Sequence, residues 1–187
     1  MTKLILIRHG EPDYSFVTER KFKGHGLDLA QLTEKGKELA RNAAKDERLN
    51  GAKLIVSSPY TRALQTAAII SKERNLDIEI EVDIHEWLPD LSFSYISDDV
   101  VKAAGKECTL CKGEYAESDK RNWEKLSAVA ARAFKGLEKY LCYDKIIVVT
   151  HGVVMRQFMY QDDIPYCGIL EVDFSKSFKW GGWIEKK

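Results

Sequence analysis

No sign of charge dominates this chain. Lys plus Arg and Asp plus Glu number 29 each, so no net field draws it to nucleic acid or to an anionic membrane. An anionic ligand therefore needs a local pocket. Long apolar runs are missing too: no segment approaches the roughly 20 apolar residues of a membrane span. The run inside MTKLILIRHG is too short for a signal-peptide core and leads directly into charged residues, so the cytoplasm is the expected location. Cysteine is sparse. Cys108, Cys111, Cys142 and Cys167 are too few and too unevenly spaced for a disulfide framework, and reduced thiols are expected. Cys108 and Cys111 form a C-x-x-C pair, the spacing of half a zinc site or of a redox pair. No second pair or histidine cluster supplies the four ligands of structural zinc, so no metal is expected.

What is present fits one folded unit over residues 1 to 187. The 44% apolar and 31% charged composition is that of a soluble globular protein with enough chain to bury a core. Residues 3 to 7 (KLILI), 53 to 57 (KLIVS) and 145 to 150 (KIIVVT) are β-branched apolar runs without alternation, the pattern of strands buried on both faces. Ile78 to Val82 and Ile169 to Phe174 alternate in places and suggest edge strands. Helices are expected from Thr33 to Lys45, after Ser58-Pro59 with serine as cap and proline in the first turn, and from about Asn122 to Tyr140. Strands alternating with helices imply a three-layer α/β/α fold with a mostly parallel central sheet. Residues 88 to 121 lack a clean period and read as an insertion or lid with short helices.

Each buried strand is followed at once by residues suited to phosphate: Arg8-His9-Gly10-Glu11, Ser57-Ser58-Pro59-Tyr60-Thr61-Arg62, and His151-Gly152. In open α/β sheets ligands bind beyond the carboxyl ends of the strands, where these distant segments converge. Arg8 and Arg62 suit a tetrahedral dianion, because guanidinium donates paired, charge-assisted hydrogen bonds. One imidazole can attack phosphorus while a second holds a non-bridging oxygen, roles that fit His9 and His151. Gly10 and Gly152 would let the backbone approach the ligand and turn after each strand. Taken singly, either histidine could be an ordinary polar residue at a sheet end. Trp87, Trp123, Trp180 and Trp183 read as packing residues.

LILIRHGE, SSPYTRALQTA and VVTHG resemble, in order, the signature segments of the histidine phosphatase superfamily, in its phosphoglycerate mutase-like branch, and GLDLAQLTEKG is similar to the family's turn and helix start. The resemblance implies a phosphoglycerate mutase-like fold, His9 as nucleophile, and Arg8, Arg62 and His151 as the rest of the phosphate pocket. It also places Glu86, in VDIHEWLPD, at the family's acidic proton donor, with Glu11 as the rival acid. Ser15 stands where many members have a phosphate-contacting Asn, and Pro12 where many have Ser or Thr.

The function expected is metal-independent hydrolysis of small phosphate monoesters through phospho-His9, with no cofactor, a small phosphorylated metabolite as partner, and neither nucleic acid nor membrane. The alternatives are a cofactor-dependent phosphoglycerate mutase, disfavoured because the chain looks too short for that enzyme's extended loops, and a catalytically weak phospho-ligand-binding module. The substrate and the oligomeric state are left open by the sequence.

Overall fold

The three apolar runs form the interior of a single sheet in the computed structural model, which describes residues 1–94 and 97–183. In chain order the first elements are β1 (Thr2–Arg8), β2 (Pro12–Asp13), α1 (Ser15–Glu19), β3 (Gln31–Leu32), α2 (Glu34–Ala43), β4 (Ile55–Ser57) and α3 (Thr61–Arg74). They are followed by β5 (Ile78–Ile80), α4 (Asp98–Leu110), α5 (Leu126–Glu138), β6 (Lys145–Thr150), α6 (Gly152–Phe158) and β7 (Ile169–Phe174). The main sheet has the order β5-β4-β6-β1-β7. All pairs are parallel except β1 with β7. The two partly alternating runs become its two edges, as their pattern suggested.

Because successive strand residues point to opposite faces, each central strand feeds two cores. Leu4, Leu6, Val56, Ile146 and Val148 pack with Val129, Ala133 and Leu137 of α5 and with Val154, Met155 and Phe158 of α6. Ile5, Ile7, Ile55, Ile147 and Val149 pack on the other face with Ala63, Ala67 and Ile70 of α3. The result is the three-layer α/β/α fold that the sequence implied. Thr33 caps α2, its hydroxyl accepting from the Gly36 N–H at 2.9 Å, which fixes one of the orphan donors of a helix start.

Two helix starts differ from expectation. α3 begins at Thr61 with Tyr60 as cap residue and no side-chain cap bond, because the Ser58 hydroxyl is engaged with His151 instead. α5 begins at Leu126, several residues later than Asn122. Residues 122–124 are held extended against the 88–91 segment by Leu91 N–H to the Asn122 carbonyl (2.7 Å) and Glu124 N–H to the Leu88 carbonyl (2.9 Å). Among its described residues the 88 to 121 region contains one substantial helix, α4, whose Cys108 joins Trp123 and Leu126 in a separate small core flanked by Trp87, Trp180 and Trp183.

Candidate active site

The carboxyl ends of β1, β4 and β6 lie side by side, Arg8 pairing with Thr150 and Ser57 with Val149 in register. The residues that follow each strand are thereby forced together. The rings of His9 and His151 stand 5.1 Å apart, edge to face. Tyr60 packs on His151 at 5.2 Å and Tyr166 on His9 at 5.8 Å.

The His9 backbone N–H bonds the Thr150 carbonyl at 2.9 Å, tying the residue to β6. His9 Nδ1 lies 2.8 Å from the Gly10 carbonyl. A carbonyl only accepts, so Nδ1 bears the proton and Nε2 keeps its lone pair. His151 is fully buried, and its Nε2 lies 2.8 Å from Ser58 Oγ. That hydroxyl also accepts from the Tyr60 N–H at 3.4 Å. The other ring nitrogen of His151, Nδ1, is buried without a partner.

The charges around these rings are cationic. Arg8 reaches the Ile164 carbonyl through Nη1 at 2.6 Å and lies over the Tyr166 ring. Arg62, buried on α3, pairs with Asp28 at 3.2 Å and lies over Tyr60. Nε of Arg8 and Nε of Arg62 are both buried without a partner. Burial, reinforced by the Arg62 charge, pushes His9 down to about 3, and burial followed by Arg62 puts His151 well below its ordinary value. Both imidazoles are neutral at pH 7.

Glu86 arrives from another direction, on the loop after β5, and lines a cavity of about 260 Å³ together with Arg62, Asp28, Tyr14 and Tyr60. Arg132 of α5 fixes that loop. Its Nη1 donates to the carbonyls of Asp83 and His85 (2.6 and 2.8 Å), its Nη2 to that of Glu86 (3.2 Å), and its Nε to Glu124 (2.7 Å). Thr150 Oγ1 adds a bond to the Ile84 carbonyl at 2.7 Å, joining the loop to the end of β6. Burial raises the Glu86 carboxyl above its ordinary value, opposed by the Trp87 N–H and then by Arg62 and Arg8. Burial thus favours the protonated carboxyl over the carboxylate.

The structure brings together Arg8, His9, Arg62, His151 and Glu86. Glu11, the rival acid, points elsewhere: it accepts from Thr33 Oγ1 at 2.9 Å and pairs with Lys35 at 3.4 Å. Ser15 is exposed at the start of α1 with its hydroxyl on Asp13, while its neighbour Tyr14 reaches the cavity. Gly10 also differs from expectation. A Cβ there would meet the Gly36 carbonyl oxygen at 2.6 Å, so its smallness serves packing against α2 rather than ligand approach. At Gly152 a Cβ would face the guanidiniums of Arg156 and Arg8 at 3.5 and 3.6 Å. Asp28, Tyr14, Tyr166 and Arg132 adjoin these side chains and were not singled out from sequence, whereas Ser58, read as a helix cap, meets His151 instead. Asp28 lies in GLDLAQLTEKG, but only the fold shows that it meets Arg62. Cys108, in α4, has its thiol pushed up to about 11 by burial and by Cys111, the opposite of an activated thiolate.

The profile of the histidine phosphatase superfamily (branch 1) matches residues 4–163. Phosphoserine phosphatase 1 of Hydrogenobacter thermophilus is 29% identical over 184 residues, covering 97% of this chain and 82% of that protein. A probable phosphoglycerate mutase, GpmB, of an Enterobacter species is 27% identical over 98% of this chain and 91% of its own length. Among solved structures, YhfR of Bacillus stearothermophilus superposes with a TM-score of 0.70 at 22% identity, over 97% of this chain and 96% of its own. The mycobacterial glucosyl-3-phosphoglycerate phosphatase superposes at 0.69 and 19% identity, over 98% of each chain. The chain belongs to the histidine phosphatase superfamily, branch 1, whose phosphatase chemistry is the chemistry that its sequence led us to expect.

Proposed function

We propose that this protein hydrolyses small phosphate monoesters by two in-line displacements through a phosphohistidine on His9. The observation that carries the reading is the state of the His9 ring: Nδ1–H is held by the Gly10 carbonyl at 2.8 Å, leaving Nε2 unprotonated among Arg8, Arg62 and His151. An imidazole so oriented is a ready nucleophile for phosphorus.

The dianion is drawn in by Arg8 and Arg62, whose unpartnered Nε atoms add to the guanidinium donors that suit phosphate oxygens. His151, whose Nδ1 is also unpartnered, supplies a further donor for a non-bridging oxygen as charge spreads over the phosphoryl group. The two guanidiniums supply the positive charge that a metal ion provides elsewhere. In the first step the P–Nε2 bond forms as the P–O ester bond breaks, and the Glu86 carboxyl gives its proton to the departing alkoxide. In the second, the Glu86 carboxylate takes a proton from water, whose oxygen attacks phosphorus and releases His9 and inorganic phosphate. Glu86 is favoured over Glu11 because its carboxyl shares the cavity with Arg62 whereas Glu11 is bonded to Thr33.

The relatives named for phosphoserine and for glucosyl-3-phosphoglycerate support a small phosphorylated metabolite as substrate. The test is release of inorganic phosphate from p-nitrophenyl phosphate and a panel of phosphorylated metabolites in the presence of EDTA. Turnover of at least one ester is expected. No release from any of them, or release that needs added divalent metal, contradicts the reading.

A further inference from the structure

A second cavity, of about 740 Å³, lies between α4 and α6, a volume in the range of small-molecule pockets. Among the described residues it shares Trp87 and Val153 with the 260 Å³ cavity, and neither Arg62 nor Glu86 lines it. One wall is Gly105, Cys108 and Thr109 of α4, and the facing one is Val153, Arg156 and Gln157 of α6. In each set the spacing of three and four residues puts the members on one helix face. The hydrolysis proposed above makes no use of this space.

Gly105 is a first pointer to a ligand. Glycine ranks below every residue but proline as a helix former, yet Gly105 lies inside α4. Its backbone is helical, and among the described residues a Cβ there would meet nothing within 4 Å. Neither a left-handed conformation nor close packing therefore calls for glycine. A bare backbone does suit the close approach of a bound molecule.

The chemistry of the lining is a second pointer. Its walls are largely apolar, with Trp87, Leu126 and Trp183 among them, and its charged members among the described residues are both cationic, Lys112 and Arg156. In a chain with equal numbers of acids and bases, that is a local imbalance. Arg156 makes no ion pair among the described residues. Its Nε and Nη2 donate to the carbonyls of Gln161 and Asp162, both at 3.0 Å, while the Asp162 carboxylate accepts from the Tyr160 hydroxyl at 2.6 Å. An apolar space with such a cation on its wall suits a molecule with a hydrocarbon body and one anionic group.

We propose that this cavity binds an amphipathic monocarboxylate of the medium-chain fatty acid type, a ligand distinct from the phosphate ester. Its carboxylate is drawn to Arg156 and Lys112, and its chain crosses Gly105 against Trp87 and Trp183. Burial of the chain gives affinity in proportion to the apolar area removed from water. The guanidinium adds a charge-assisted bond to a carboxylate oxygen.

The test is titration calorimetry with octanoate and octan-1-ol, which share a chain and differ in the charge of the head group. The parent is expected to bind octanoate saturably, about 10- to 100-fold more tightly than the alcohol, the range for a hydrogen bond to a charged group. The double variant Lys112→Met/Arg156→Met loses that margin and keeps the alcohol, which reports an intact cavity. Gly105→Leu fills the space from a helix that leucine favours, so both ligands are lost while the melting temperature holds or rises. A folding defect would lower that temperature. Octanoate is expected to bind His9→Ala equally well with and without saturating p-nitrophenyl phosphate. The proposal is overturned by no saturable octanoate binding in the parent, by equal affinity for acid and alcohol, or by a margin that survives in the double variant. Octanoate binding that is unchanged in Gly105→Leu, or displaced by the ester, overturns it as well.

Discussion

His9 and His151 stand on the ends of two hydrogen-bonded central strands, whereas Glu86 stands on a loop held mainly by side chains. On the histidine side the positions follow from sheet register: Arg8 opposite Thr150 and the His9 N–H on the Thr150 carbonyl. On the acid side they follow from side chains, chiefly the Arg132 guanidinium spread over three backbone carbonyls and Glu124. The electrostatics divide in the same way. Burial and arginines keep both imidazoles unprotonated, while burial raises the carboxyl on the other side. His9 and Glu86 are thus shifted in opposite senses, and different parts of the fold set the two shifts.

The largest break comes from His9→Ala. It removes the nucleophile and takes phosphate release to background, while circular dichroism and thermal melting show a folded protein, because the residue lies at a strand end outside both main cores. Substantial turnover by folded His9→Ala would leave the histidine side without its assigned role.

The acid side is broken by Glu86→Gln. An alkoxide needs a proton in the transition state and p-nitrophenolate does not, so the loss is on the order of 10² to 10⁴-fold toward an alkyl phosphate and much smaller toward p-nitrophenyl phosphate. Parallel kinetics of Glu11→Gln make the comparison sharp. Equal losses on both esters for Glu86→Gln, or a leaving-group dependence confined to Glu11→Gln, would move the acid elsewhere.

The opposed titrations give a stability effect of intermediate size. His9 has a folded value of about 3 and an unfolded one near 6.5, so the unfolded chain binds more protons below pH 6.5. Its contribution is intact above that pH and is lost as pH falls toward 3, amounting to about 2 kcal/mol at pH 5. Melting temperature should decline from pH 7 to pH 5, and the decline should be shallower in His9→Ala. An identical pH slope in parent and variant would mean that His9 is protonated as readily folded as unfolded.

The smallest effect belongs to Asp28, which holds Arg62 at 3.2 Å on the cavity wall. Asp28→Asn leaves the guanidinium in place but loosens its aim, and KM should rise roughly tenfold, the worth of one ordinary hydrogen bond. A variant with unchanged KM would reduce Asp28 to a bystander.

What the sequence made legible follows the same division. Strands buried on both faces announce themselves as continuous apolar runs, and whatever follows such a strand is delivered to the sheet's carboxyl edge, so Arg8, His9, Arg62 and His151 could be grouped without coordinates. Glu86 came only through family resemblance, because nothing local distinguishes a loop glutamate that Arg132 will bury from one in solvent. Ser58 was misread as a helix cap: serine before proline is the ordinary start signal, but its hydroxyl found a histidine 93 positions away. Gly10 was misassigned for a similar reason, its close neighbour Gly36 being a contact that no local pattern specifies. Asp28 and Tyr166 meet Arg62 and His9 through comparable long-range contacts.

The central claim is that the phosphoryl group passes through His9 Nε2, and capture of that intermediate tests it most directly. The parent is mixed with phosphate-labelled substrate, quenched in base to preserve phosphohistidine, and mapped by peptide mass spectrometry. The account predicts label on Nε2 of His9, appearing and decaying at least as fast as steady-state turnover. Turnover with no labelled His9 at any time, or with label on Ser58 instead, would contradict it.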